Sequence, residues 1–422
     1  MKKWIRVILL AGLLMLVGCG EKKTEGGKQE IVIMATDRVE NLLKEFIVTY
    51  NKESEDYYIT YEDFSEDMAN YDRMVSNINA RIVSDRCPDL VLINYNFFQT
   101  YMDGKALEDL EPYLKKSEVL SEEDFLQPVL DAMKKEDAVY GLPKYFNMQV
   151  MGGRTSKMGK KQGWSIEEFI TYFEENPDVV LEWDGDSYGI LNFCMRYGLD
   201  EYVDFEQGKC SFNGSEFKEL LTKIKALNRD SSHTENWKSI VEEGGNIMLE
   251  FSINSFNDYM RMEEEYQDEL TVRGYPTGQG EFKCRLLPSM SMGILAKSKN
   301  KDAAWDVLEK YMAWDFGDME FSAMCESFDA QLTEAKREPD ESDNPVHDGI
   351  MMELPKKLVL TRRQEEQIML ALENAVPDNI MWDEIREMVT LGALEYFNGK
   401  KDLEEAANMI QSRVQLYLDE QK

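Results

Sequence analysis

Between Ile31 and Ile93 the chain alternates three strand-like apolar runs with two amphipathic helical ones, and few architectures accept that alternation. Ile31 to Thr36 is an apolar strand. The residues that follow place Val39, Leu42, Leu43, Phe46, Ile47 and Tyr50 on one helical face, with Asp37 and Glu40 spaced as an N-cap box. Tyr57 to Phe64 returns as a β-rich strand, and Met68, Tyr71, Val75, Ile78 and Ile82 mark a second amphipathic helix. Leu90 to Ile93 is wholly apolar, as a strand covered on both faces must be. The pattern is βαβαβ and predicts a parallel sheet. Ligands of such sheets lie beyond the carboxyl ends of the strands, so the loops Thr36 to Arg38, Asp63 to Glu66 and Asn94 to Phe97 are expected to line one crevice.

Past residue 145 the texture changes to helices with short strands, and a second lobe is expected to begin there. Ser165 and Glu168 are spaced as a capping box, with Trp164 placed to staple onto Phe169. Asp302 to Met312 and Asp402 to Gln421 are further amphipathic helices. The charged run Glu334 to Asp348, interrupted by Pro339 and Pro345, predicts a long exposed loop or a mobile insertion.

The N-terminus carries Lys2, Lys3 and Arg6, an apolar run from Val7 to Val17, and then Gly18 and Cys19, which is signal-peptide layout and too short for a stable span. Leu16 to Cys19 resembles a bacterial lipobox. That resemblance implies a lipoprotein signal peptide with lipobox over residues 1–19, a diacylglycerol on Cys19, which becomes the new N-terminus, and residues 20–30 as a flexible tether; two acyl chains anchor where one does not.

Removal of that signal leaves about 400 residues, enough for two to three domains. The 43% hydrophobic content supplies a large core. With 81 acidic against 48 basic residues the net charge is −33, which disfavours nucleic acid and an anionic bilayer as partners. Only His233 and His347 are present, so a multi-histidine zinc site is disfavoured. Cys87, Cys194, Cys210, Cys284 and Cys325 show no paired spacing and suit small buried apolar roles, with a Cys194 to Cys210 bridge left open. The 25 methionines are scattered, as core filler is. Asp184 and Asp186 match only a fragment of a calcium loop, so no metal is assigned.

Several segments in order resemble the sugar-type, family 1 extracellular solute-binding proteins of ATP-binding-cassette importers. They are CPDLVLI at 87–93, GKALEDLEPYL at 104–114, VYGLP at 139–143, GWSIEEF at 163–169, VDFEQGKCSFN at 203–213, and GYP at 274–276 ahead of GILAKSKNKDAAW at 293–305. The resemblance implies an α/β, two-lobed periplasmic-binding-protein-like fold of type II, with a mixed sheet flanked by helices in each lobe and a hinge between them. It places residues 31–145 and 274–312 in the N-terminal lobe and 146–273 and 313–422 in the C-terminal lobe. It implies a monomer on the outer face of the cell membrane that passes a carbohydrate, in all expectation an oligosaccharide, to ABC permease subunits, with no catalysis and no cofactor.

A sugar offers apolar CH faces and a ring of hydroxyls, so its site needs aromatic platforms rimmed by acids, amides and hydroxyls. The expected ligand-binding residues are Asp37, Asn94 and Tyr95 after the first and third strands, and Tyr145, Phe146 and Asn147 after the VYGLP turn. Trp183, Phe251, Ser252 and Ser291 complete the set. For each aromatic, ordinary packing is the competing role, and for Asp37 it is a plain helix cap. Two other functions remain open on sequence: a binding protein that feeds a membrane sensor, and a surface glycosidase with paired carboxylates.

Overall fold

The computed structural model describes residues 27–35, 40–64, 71–92, 95–181, 185–229, 237–317, 319–339, 346–347, 350–351 and 357–421. The chain opens with β1 (Gln29–Ala35), α1 (Glu40–Glu53), β2 (Tyr57–Asp63), α2 (Tyr71–Val83), β3 (Leu90–Leu92) and α3 (Tyr95–Asp103). It continues through β4 (Tyr145–Arg154), α4 (Ile166–Glu175), β5 (Val180–Leu181), α5 (Ser187–Arg196), α6 (Ser215–Ala226), β6 (Ile247–Ile253), α7 (Phe256–Tyr266) and β7 (Leu270–Val272). There follow β8 (Cys284–Ser289), β9 (Met292–Ile294), α8 (Lys301–Ala313), β10 (Phe321–Ser322), α9 (Cys325–Lys336), α10 (Arg362–Glu373), β11 (Ala375–Pro377), α11 (Ile380–Phe397) and α12 (Leu403–Glu420).

The βαβαβ reading of the N-terminal part holds. β2 and β3 both pair parallel to β1, with Ile31 opposite Ile59 and Ile33 opposite Leu90, and β9 closes the sheet antiparallel to β3 in the order β9-β3-β1-β2. The second sheet runs β11-β8-β4-β6-β5, with β7 and β10 also on β4. It is mixed: β6 and β8 flank β4 antiparallel, whereas β11 joins β8 parallel.

The two faces of the second sheet serve different cores. Met148 and Val150 of β4 and Leu249 and Phe251 of β6 belong to the apolar cluster shared with the first sheet. Met151 and Met248, one residue out of phase, belong to a second cluster under α4, α5, α6, α11 and α12. This is the two-residue period of a strand acting on a sheet buried on both sides. The predicted capping box forms: the Ser165 hydroxyl accepts from the Glu168 N–H at 3.1 Å, and Trp164 meets Phe169 edge to face at 4.8 Å.

Two expectations need correction. The return to the first lobe, expected from about Gly274, comes later: Cys284–Ser289 hydrogen-bonds within the seven-stranded sheet, and the chain crosses back at Met290 and Ser291. The reason is that β8 alternates buried and half-buried residues and fits beside β4, whereas β9 (MGI) is buried throughout and fits beside β3. The charged run also begins inside a helix, since α9 extends to Lys336, and Val346–His347 pairs with Ile350–Met351 as a short ladder. All five cysteines of the described region are free thiols, with Cys194 and Cys284 buried. Among the described residues no helix is long and apolar enough to cross a membrane.

A buried lysine sits where the chain first crosses between lobes. Lys144 donates to the Met312 carbonyl at 2.6 Å and lies 5.8 Å from the Phe316 ring centre. Burial lowers its pKa to about 8, with Asp315 opposing the shift. The unfolded lysine binds its proton more tightly, so the cost is fully present below pH 8 and is relieved as pH rises towards the unfolded value of 10.5. Relative to Lys144→Met, the native chain is expected to gain about 3 kcal/mol between pH 8 and 10.5. Denaturant titrations of both proteins across that window measure the gap; a gap independent of pH contradicts the assignment.

Candidate functional site

The helix α5 reads SYGILNFCMR, and its polar side chains Tyr188, Asn192 and Arg196 recur every four residues while Ile190, Leu191, Phe193 and Cys194 are buried. A four-residue interval is one turn of helix, so the three stand in a line. That line faces α3 of the first lobe and the β11–α11 junction, and two adjoining cavities of about 730 and 790 Å³ lie between these elements. Each draws its walls from both lobes. The first is lined by Gln99 and Met102 of α3 together with Arg196, Tyr197, Asp378 and Trp382; the second by Thr100, Tyr101, Tyr188, Asn192, Arg285 and Arg386.

The floor is set by strand register. Ser252 of β6 lies opposite Gln149 of β4, and Gln149 lies opposite Arg285 of β8, so three adjacent strands carry one polar row. Arg285 binds the Gln149 side-chain oxygen and grips Asp378 with two nitrogens, the Nε bond being 2.8 Å. Asp378 is buried, its side chain 5% exposed. Burial works against the Arg285 charge, but the hydrogen bonds and charge of Asp378 outweigh it and raise the guanidinium pKa above its ordinary value. Tyr275 stands behind this row, donating to Glu250 at 2.5 Å, and burial lifts its phenol pKa well above normal.

The first lobe reaches this floor through Gln99. Its amide nitrogen donates to the Asp378 carbonyl and its oxygen accepts from the Ile380 N–H at 3.1 Å, the donor and acceptor of one side chain matched to the backbone of the other lobe. On the opposite wall Trp382 is stacked on Phe205, rings 5.0 Å apart and within 6° of parallel. Arg386 holds Asn192 and Asp383, the latter at 2.6 Å. The site thus offers aromatic surface, fixed carboxylates, amides and guanidinium groups on walls that belong to different lobes.

Of the residues expected from sequence, Cys19, Asp37, Asn94 and Trp183 lie outside the described residues, and Tyr95 opens α3. Tyr145, Phe146, Phe251 and Ser291 are not in the cavity walls. Tyr145 is buried and donates to the Gly317 carbonyl at 2.9 Å. Phe146 stacks on Phe321 at 5.4 Å, and Phe251 is part of the shared core. Ser291 is 1% exposed in the crossing segment, its hydroxyl without a hydrogen-bond partner among the described residues. Asn147 donates to Glu320 at 3.3 Å, and Ser252 joins the polar row without lining either cavity. The physical reason is alternation: a cluster such as Glu250, Phe251 and Ser252 is contiguous in sequence, yet its members point to opposite faces of the sheet. Sequence reasoning missed Gln99, Arg196, Arg285, Asp378 and Trp382. The four-residue polar line on α5 was the one local signal for Arg196. Among the described residues no group of three His, Cys, Asp or Glu side chains is placed to hold a metal ion.

Two lobes with a polar, aromatic-lined cleft between them make up the two-lobed architecture of the periplasmic-binding-protein-like fold. Residues 45–323, more than half of the 422, match the family described as bacterial extracellular solute-binding protein, and the chain belongs to that family. Compared with curated proteins by sequence, it finds no match. Among solved structures it is similar to the sugar-binding protein MalE of Xanthomonas citri, at 15% identity and TM-score 0.61, over 93% of this chain and 98% of that one. It is also similar to an ABC substrate-binding protein of Listeria monocytogenes in complex with cycloalternan, at 15% identity and TM-score 0.57, over 93% and 99%. A cyclic α-maltosyl-1,6-maltose binding protein of Arthrobacter globiformis aligns at 14% identity and TM-score 0.54, over 93% and 100%. At these identities the likeness is one of fold, and it agrees with the two-lobed architecture expected from the sequence.

Proposed function

We propose that this protein captures a carbohydrate in the interlobe cleft and delivers it to the membrane subunits of an ABC importer, held at the outer face of the cell membrane by lipid on Cys19. It acts without catalysis and without a cofactor. The observation that carries the reading is the composition of the cleft: Trp382 and Tyr188 supply flat apolar surface, and Asn192 and Asp383 supply the amide and carboxylate that hydroxyls require. The similar solved structures, one of them in complex with cycloalternan and another a cyclic α-maltosyl-1,6-maltose binding protein, favour a saccharide over other solutes.

Closure follows from differential contact. Only the closed arrangement touches a solute from α3 and from α5 and α11 together, so the solute shifts the balance of open and closed forms by that difference in affinity. The test is a thermal-shift screen of neutral and acidic oligosaccharides on the protein lacking residues 1–19, with chromatography of the recovered sugar. A binder at about 100 times its Kd stabilises by about 2.7 kcal/mol and is recovered intact. Small-angle scattering is expected to show a smaller radius of gyration at saturation. Turnover of the sugar, or no response to any saccharide, defeats the proposal.

A further inference from the structure

The first cavity contains a buried cation whose hydrogen-bonding capacity is unspent among the described residues. Arg196 lines it with its side chain 10% exposed, and among the described residues none of its N–H donors has a hydrogen-bond partner; its Nε is fully buried. The nearest anion is Asp378 at 4.0 Å, and both oxygens of that carboxylate are already taken by Arg285. The guanidinium packs 5.2 Å from the centre of the Tyr275 ring, which fixes its plane. A buried guanidinium with one long ion pair and no hydrogen bond among the described residues is under-satisfied in the empty protein, and an incoming acceptor recovers that cost.

The other charges of the cavity isolate this one. Lys134 is bound to Glu122 at 2.6 Å, and Lys135 is bound to Asp103. Lys283 makes no ion pair among the described residues and lies 6.0 Å from the centre of the Tyr197 ring, itself 5.7 Å from Tyr275. Arg196, without a hydrogen bond among the described residues, and Lys283, which lies near the Asp200 and Glu281 carboxylates without pairing to either, are therefore two cations on one side of the cleft, in a chain whose net charge is −33.

Resting on the carbohydrate reading above, we infer that the solute is an acidic saccharide whose carboxylate is taken by Arg196, with Lys283 as the second cation. A planar carboxylate matches the guanidinium fork. A single negative charge is also better tolerated than a doubly charged phosphate beside Asp378 and Asp383. Trp382 on the far wall is left for the apolar face of the sugar ring.

The experiment uses oligogalacturonates, oligomers of glucuronate and sialyl-oligosaccharides, each beside a neutral counterpart of the same length, with inorganic sulfate as a simple-anion control. Titration calorimetry on the native protein, Arg196→Gln and Lys283→Gln reads the affinities. At least one acidic sugar is expected to bind and its neutral counterpart to bind weakly. Arg196→Gln should weaken the acidic sugar on the order of 100-fold and Lys283→Gln about 10-fold. Apo Arg196→Gln should melt close to the native protein, because the substitution removes an under-satisfied buried cation together with only one long ion pair, and Asp378 keeps Arg285; this separates lost binding from lost folding. Equal binding of neutral and acidic partners, or a sulfate response as large as the sugar's, overturns the inference and leaves the carbohydrate reading intact. Silence of every saccharide overturns both.

Discussion

Asp378→Ala is expected to destabilise the protein by about 4 kcal/mol, because it strands Arg285 in a site built around a paired charge. Asp378 is the buried anion at the meeting of β8, β11 and α3: Arg285 holds both its oxygens, Arg196 approaches to 4.0 Å, and its backbone carbonyl accepts from Gln99. Removing the carboxylate leaves two guanidinium groups facing each other in a poorly hydrated floor. The double variant Asp378→Leu with Arg285→Met should recover most of the loss, since a buried ion pair replaced by apolar groups of similar size is often neutral. Urea denaturation of the three proteins gives the comparison. A single substitution costing less than about 1 kcal/mol means that water already reaches the pair.

Trp164→Ala is the second large loss, about 4 kcal/mol, and it falls on the second lobe alone. The indole is 1% exposed, donates from Nε1 to the Gly274 carbonyl at 2.8 Å, packs on Phe169, and carries the Arg273 guanidinium 4.9 Å from its ring centre. Its removal opens a cavity and leaves the Gly274 carbonyl unpaired. Trp164→Phe keeps much of the packing and loses the donor, so about 1 to 2 kcal/mol is expected. Thermal unfolding by near-ultraviolet circular dichroism checks both, and equal losses in the two variants would make the hydrogen bond, not the ring, the main contribution.

The two sites differ in how visible they were beforehand. Trp164 stands one residue before a capping box, and the staple it makes with Phe169 is a contact between neighbours in sequence. The parallel sheet was equally open to reading, because Leu90–Leu92 is buried throughout and the runs before it alternate between strand and helix periods. By contrast, Asp378, Arg285, Gln149 and Gln99 come from segments up to 279 residues apart. No local pattern links them. The aromatic clusters after residue 144 drew attention because they are conspicuous in sequence, but Phe146 and Phe251 are conspicuous for the reason that any core residue is.

From the residues alone came the βαβαβ lobe, the principal helices and their caps, and the resemblance to solute-binding proteins. These depend on periods of two and 3.6 residues or on short motifs, and so on interactions between neighbours. Only the tertiary structure decided where the chain returns to the first lobe, which face of each strand meets the cleft, and which charges are paired. Strand register and lobe packing set those outcomes: a shift of one residue exchanges the faces of a strand, and a cation is spare or satisfied according to a carboxylate that arrives from far along the chain.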